Sequence, residues 1–350
     1  MTSSTTNQVH YPDPYNGQNV KTFCAATKNV NVTILSPGFS NPYQHQFSLG
    51  YSRQINSSTS LSVDGLYTRG LRDYKIYDLN LPPNYPAVPT ATTRPNTNMA
   101  QIQQHASTGA SEYLGLYFKL SKTLSHRFMY TAAYALSSAH DNSPHAAPVN
   151  YFAQQADWGQ AGVDQRNAIV VSGTYEIPKV KILVGGIYSY RSRMPFSVTS
   201  TTLSPNVFPG GTVNPNFNGT AQYIPGTTRG QGNRGINFAA INAYRADLDA
   251  NVKPYSTACA TNLPGVGSRL STNLSAANVT TNRYMDFDLR VSKAVFQHES
   301  MRLEIIGQAF NLFGTENYTA ITYTPTVNTF GTPTNAGTVQ IGELAAKFTF

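Results

Sequence analysis

Charge is what this sequence has least of: Asp, Glu, Lys and Arg together make up 12% of its 350 residues, about half of the roughly 25% usual in soluble domains. A soluble fold so short of charge would compensate with a larger apolar core, yet hydrophobic residues reach only 40% and the mean hydropathy is −0.31. Long apolar runs are missing too. The longest, Ile182 to Ile187, is broken by Gly185 and Gly186, so no segment nears the ~18 residues of a membrane helix. Met1 to Val20 has neither a basic start nor an apolar stretch. No signal peptide is visible there, which for an exported protein leads us to expect a truncated gene product or a chain that begins mid-protein. Lys and Arg number 25 against 17 Asp and Glu, but they are scattered singly. With no basic run and no basic helix, nucleic acid is not an expected partner.

Catalytic motifs are equally scarce. Neither Gly-x-Ser-x-Gly nor His-Glu-x-x-His occurs, and the chain is expected to be no enzyme and to carry no cofactor. Gly230-Gln-Gly-Asn-Arg-Gly235 has dinucleotide-type spacing without the βαβ context that would give it meaning, so a flexible loop is expected. His140, Asp141 and His145 carry ligand chemistry, but they lie in a polar stretch with Pro144 and Pro148 and no third histidine nearby. A solvated loop is expected there rather than a metal site. Two cysteines, Cys24 and Cys259, leave two readings open: unpaired thiols, or a disulfide formed outside the cytosol that ties two loops together.

What replaces charge is Asn, Thr, Ser, Gln, Gly and Tyr, with 22 Tyr against a single Trp. This suits a wall that is apolar outside, wet inside and aromatic at its rims. The dominant period is two. Nine segments alternate apolar and polar residues: Pro42–Ile55, Ser60–Thr68, Tyr113–Ser121, Phe128–Leu136, Asn167–Ile177, Ile182–Phe196, Tyr284–Val295, Arg302–Phe313 and Val339–Phe350. In the seventh, Met285, Phe287, Leu289 and Val291 oppose Asp286, Asp288, Arg290 and Ser292. Asp286, Asp288 and Arg290, with Arg302 and Glu304 of the next segment, are expected to form a charged row on the inner wall, paired across strands. A carboxylate pair poised for catalysis is the weaker alternative.

The connections form a second pattern. Asn56–Thr59, Lys122–Arg127, Pro178–Lys181 and Gln297–Ser300 are short, whereas Arg69–Glu112, Ser137–Arg166, Ser197–Arg283 and Gly314–Thr338 are long. Strict alternation of short and long is the asymmetry of a bacterial membrane barrel, with short periplasmic turns and long extracellular loops. Ten residues at ~3.3 Å rise and ~45° tilt span about 23 Å, close to the ~25 Å apolar band of such a wall. The expected fold is therefore all-β, an antiparallel transmembrane β-barrel. A soluble, secreted all-β protein with long loops is the competing reading.

Several blocks in order carry a resemblance: Asn41-Pro-Tyr-Gln-His-Gln-Phe-Ser-Leu-Gly-Tyr-Ser-Arg-Gln54, Ser111-Glu-Tyr-Leu-Gly-Leu-Tyr-Phe-Lys-Leu-Ser-Lys122, Asp164-Gln-Arg-Asn-Ala-Ile-Val-Val-Ser-Gly-Thr-Tyr-Glu-Ile-Pro178, and Asp286-Phe-Asp-Leu-Arg-Val-Ser-Lys293 followed by Arg302-Leu-Glu-Ile-Ile-Gly-Gln-Ala-Phe-Asn-Leu-Phe313. Together they resemble the C-terminal barrel of TonB-dependent transporters, the Oar-like group in particular. The resemblance implies a cell outer membrane location, residues 42–350 as C-terminal strands of an incomplete barrel, and residues 1–41 as the remnant of an extracellular loop. It implies uptake of an extracellular ligand that the sequence does not identify, with TonB engaged only through N-terminal regions that have no counterpart here. The terminal Phe348 and Phe350 resemble the signal read by the barrel-assembly machinery, which with outer-membrane lipid completes the expected partners. A surface structural or adhesive protein is the alternative function.

Overall fold

A computed structural model describes residues 30–81, 94–142, 144–146, 148, 157–200, 222–224, 226–233, 235–249, 273–280, 282–325, 327–337 and 339–350. Nine long strands follow in chain order: β1 Tyr43–Asn56, β2 Thr59–Asp78, β3 Met99–Ser125, β4 Phe128–Asp141, β5 Asn167–Ile177, β6 Ile182–Arg191, β7 Tyr284–His298, β8 Met301–Phe310 and β9 Ile341–Thr349. Each pairs with the next, always antiparallel, in one sheet from β1 to β9. The barrel is not closed. β1 and β9 form the two margins, and both are exposed along their whole length.

All four short connections lie at one end of the sheet. Between β3 and β4, His126 and Arg127 have φ of 54° and 65°, the left-handed pair a two-residue type I′ hairpin needs. Long connections gather at the other end.

Directly paired residues on neighbouring antiparallel strands share a face. Tyr51, Val63, Phe118, Tyr134, Ile169, Tyr190 and Met285 pair in turn across seven strands, drawing one apolar row. This face is open: Leu49 is 83% exposed and Leu344 88%. Among the described residues, Ile306 is the one hydrophobic side chain of the nine strands that is buried; the main buried cluster lies in the loops. Among the described residues the sheet therefore has no dry partner layer. Its apolar face is built for lipid, and the soluble-sandwich reading is discarded.

All nine alternating segments form strands, but their ends differ from expectation. β2 continues to Asp78 and β3 begins at Met99, so the long connection spans residues 79–98 rather than Arg69–Glu112. At 20 and 27 residues, these strands exceed the roughly 9–11 that cross a bilayer. The excess rises beyond the apolar band, where nothing selects for greasy and polar alternation. A bulged register around Arg72, with φ of 61°, marks the change. Val30–Leu35 pairs in parallel with this extension of β3, and Gly159–Gln160 adds to the end of β4. The span Ser197–Arg283, read as loop, also holds a helix, α1 Phe238–Asp247. Tyr318–Ile321 and Pro333–Ala336 form a small hairpin between β8 and β9. Cys24 and Cys259 lie outside the described residues.

Candidate functional site

The end of the sheet that carries the long connections is a folded rim. Its first part gathers around the extension of β2. Lys75 Nζ donates to Asp157 Oδ2 at 2.7 Å and to the Asn142 carbonyl at 2.5 Å, with both charged side chains almost fully buried. Arg229 reaches Asp141 at 2.5 Å and also donates to the carbonyls of Asp141 and Asp157. Two cations and two carboxylates from four distant segments thus neutralise one another. Burying them costs desolvation, which only close pairing offsets.

A second knot fixes the base of the β2–β3 connection. Asp78 accepts from Arg94 at 3.0 Å and from the amides of Asn80 and Ile102. The Asn80 side-chain amide donates to the carbonyls of Asn96, Met99 and Ala100. Nearby, Tyr74 is stacked between His105 at 5.0 Å and His145 at 4.6 Å. His145 Nε2 lies 2.7 Å from Asp73. Trp158 stacks on His140 and receives the Arg69 guanidinium over its ring at 5.1 Å.

The other part of the rim is a small core around α1. Asn237 caps the helix by accepting from the Ala240 amide. Ile241, Tyr244 and Leu248 recur at helical spacing and pack with Val198, Ile224, Leu274 and Phe330. Arg245 is fully buried; it donates to the carbonyls of Pro325 and Val327 and to Asn328 Oδ1. This joins the β6–β7 connection to the β8–β9 connection. Burial lowers the pKa of Arg245. It pushes those of Tyr244 and Tyr323 up to about 12. Tyr244 keeps its proton and donates to Ser200 Oγ at 2.6 Å.

The glycine-rich stretch belongs to this assembly. Gln231–Asn233 form a single 3-10 turn, and Gly232 lies so near Phe196 that an added Cβ would stand 2.2 Å from its ring. Glycine is needed there for close approach, not for a phosphate. His140, Asp141 and His145 are divided among Trp158, Arg229 and Asp73. Among the described residues no three His, Cys, Asp or Glu side chains gather as metal ligands.

On the polar face of the wall, Met129, Thr131, Ile187, Asp288, Arg290 and Gln308 border a hollow of about 330 Å³. The five charged residues expected in a row do share this face, but the register parts them. Arg290 pairs with Gln308, whereas Glu304 pairs with Ala294, near the short turns. Among the described residues, the ion pair they form lies within β8, Arg302 to Glu304 at 3.8 Å. No cross-strand ion pair joins the two groups, which corrects that expectation. Asp288 instead accepts from the Asn311 amide, and Asp286 from Tyr284 Oη. Phe348 alternates onto the apolar face with Leu344, and its ring stacks with Phe350 at 6.0 Å.

Sequence reasoning missed the rim because Lys75, Asp141, Asp157 and Arg229 follow no motif. The signal for α1 was present in the 3–4 spacing of Phe238, Ile241, Tyr244 and Leu248 after Asn237.

Among solved structures, the chain is similar to the outer membrane transporter YddB from Escherichia coli, at 8% identity over 93% of this chain and 34% of that one, with a TM-score of 0.48. It is similar to the ferric-catecholate import receptor Fiu from E. coli, at 11% identity over 89% and 28%, with a TM-score of 0.47. For the ferripyoverdine receptor of the outer membrane of Pseudomonas aeruginosa the values are 10%, 88%, 27% and 0.45. The chain thus spans between 27% and 34% of the length of these proteins. No curated protein matches the sequence. The sequence pattern of one family matches residues 1–343, and with an antiparallel sheet whose apolar face lies open, the chain belongs to the outer membrane beta barrel domain family.

Proposed function

We propose that this chain supplies the wall and the ligand-facing rim of a TonB-dependent-transporter-like outer-membrane protein of the Oar-like kind, and that it performs no catalysis. The observation that carries the reading is the contrast between the two ends of the sheet. One end has connections of two to four residues; the other has long connections tied by buried ion pairs and packed around their own core. Long connections used merely as spacers would not need buried charge pairs, whereas a rim that presents a fixed surface to a ligand does. By the rule for bacterial barrels this rim faces outward and the short turns face the periplasm. Within residues 1–41, Val30–Leu35 extends the sheet on the same side. Energised uptake is a property we assign to the assembly that contains this wall, not to the wall alone.

The test replaces residues 226–249 by a Gly-Ser linker in the chromosomal gene and follows uptake of a radiolabelled ferric catecholate and of ferripyoverdine. Accumulation that needs TonB and falls at least tenfold with the replacement supports transport through this rim. Accumulation equal in cells with and without TonB would overturn it. Unchanged uptake with lost surface attachment would favour the adhesive reading.

A further inference from the structure

Positive charge is concentrated at the short-turn end. The stretches 51–63, 119–131, 174–184, 292–304 and 345–350 hold nine Lys and Arg against three Glu, leaving sixteen against fourteen for the remainder of the 25 and 17. The faces separate this charge further. Register places Arg53 beside Leu61, Lys122 beside Tyr130 and Lys293 beside Ile305, all on the apolar face. Arg127, Lys179 and Lys181 stand exposed in the turns between them. Of the acids, Glu304 pairs with Lys347 and Glu176 with Leu183, on the polar face. Glu176 takes Arg127 at 3.8 Å. Among the described residues, Arg53, Lys179, Lys181 and Lys293 form no ion pair. Tyr130 lies on the same face level with this line, and Tyr51 and Tyr175 lie just inside it.

We infer that the short-turn margin is a basic collar that binds anionic phospholipid headgroups of the adjoining leaflet. Lys and Arg stems lie along apolar surface while their heads reach headgroup depth, and tyrosines at the same level suit an interface. The cations follow a line from β1 to β7 rather than a compact patch. A line of that extent fits a lipid leaflet and not a single acidic partner. The collar rests on the apolar face meeting lipid and on no particular cargo, so it and the transport reading fail separately.

The experiment uses the purified full chain in micelles of an uncharged detergent doped with fluorescent phosphatidylglycerol or phosphatidylcholine. The expected result is tighter retention of phosphatidylglycerol by about fivefold or more, since each surface cation contributes about that factor, and collapse of the preference in high salt. R53Q/K179Q/K181Q/K293Q abolishes the preference. R53K/K179R/K181R/K293R retains it, as does R72Q/R283Q, which removes charge at the opposite end. Equal retention of the two lipids by the unaltered chain would overturn the collar. So would a preference that survives the glutamine changes, or one lost in R72Q/R283Q or in the charge-preserving variant.

Discussion

Lys75 and Asp157 stand 82 positions apart in the chain, yet their side chains meet at 2.7 Å where almost no solvent reaches either. Removing one partner breaks a buried charge pair, at a cost of about 3–5 kcal/mol. Lys75→Met or Asp157→Asn alone should therefore open the rim to protease while the strands stay intact. Lys75→Met with Asp157→Leu should recover much of the resistance, because no lone charge remains. Cleavage half-times of the three variants, read beside the heat-modifiable mobility of the barrel, provide the check. A double variant as labile as either single one would contradict the pairing.

Alkaline pH should loosen the core around α1 before it affects the wall. The phenols of Tyr244 and Tyr323 have folded pKa values raised from 10.0 to about 12 by burial. An acid whose folded pKa is raised contributes stability that is fully present below its unfolded pKa, here about 10. That contribution is lost as pH climbs toward about 12. Protease sensitivity of the loops should rise across this window, in step with tyrosinate absorbance. Tyr244→Phe should blunt the rise and cost about 1 kcal/mol at neutral pH through the lost bond to Ser200.

The turn between β7 and β8 offers a stabilising change. Glu299 sits at φ 48°, a conformation that costs a non-glycine residue about 1 kcal/mol. Glu299→Gly should relieve that cost and raise the melting temperature by a few degrees. A fall in melting temperature would show that the Glu299 side chain contributes more than the strain removes.

At the end of the chain, Phe348 projects from the exposed apolar face of β9, and Phe350 follows just beyond the strand, also exposed. If the barrel-assembly machinery reads them, deleting Phe350 should cut the amount of folded protein in the outer membrane severalfold, with unfolded chain accumulating in the periplasm. Phe350→Trp should restore it. Membrane levels unmoved by the deletion would remove the signal from consideration.

How much of this was legible depends on which force shaped each residue. Within the apolar band, lipid on one side and polar surroundings on the other impose a period of two, so segments such as Met285–Val291 declared their faces and all nine strands could be located. Above the band that selection ends. The extensions Arg69–Asp78 and Met99–Glu112 are still strand, but backbone pairing and single side-chain pairs such as Lys75–Asp157 and Asp78–Arg94 hold them, and these leave no sequence rhythm. The rim is harder still. Asp157 and Arg229 find each other through tertiary folding, and neither carries a local mark. The charged row shows the opposite limit: the faces of Asp288 and Glu304 were readable from parity, but their separation was set by the register of one hairpin. Parity gives the side of a sheet, not the height on it.

Eight antiparallel steps separate β1 from β9, so both border strands descend in the same sense. Two copies set side by side with their rims on the same side of the membrane would bring like-directed strands together, and the hydrogen-bond ladder could not continue in its established pattern. Whatever seals this wall has to offer an ascending strand to each margin, and an insert that does so contains an odd number of strands.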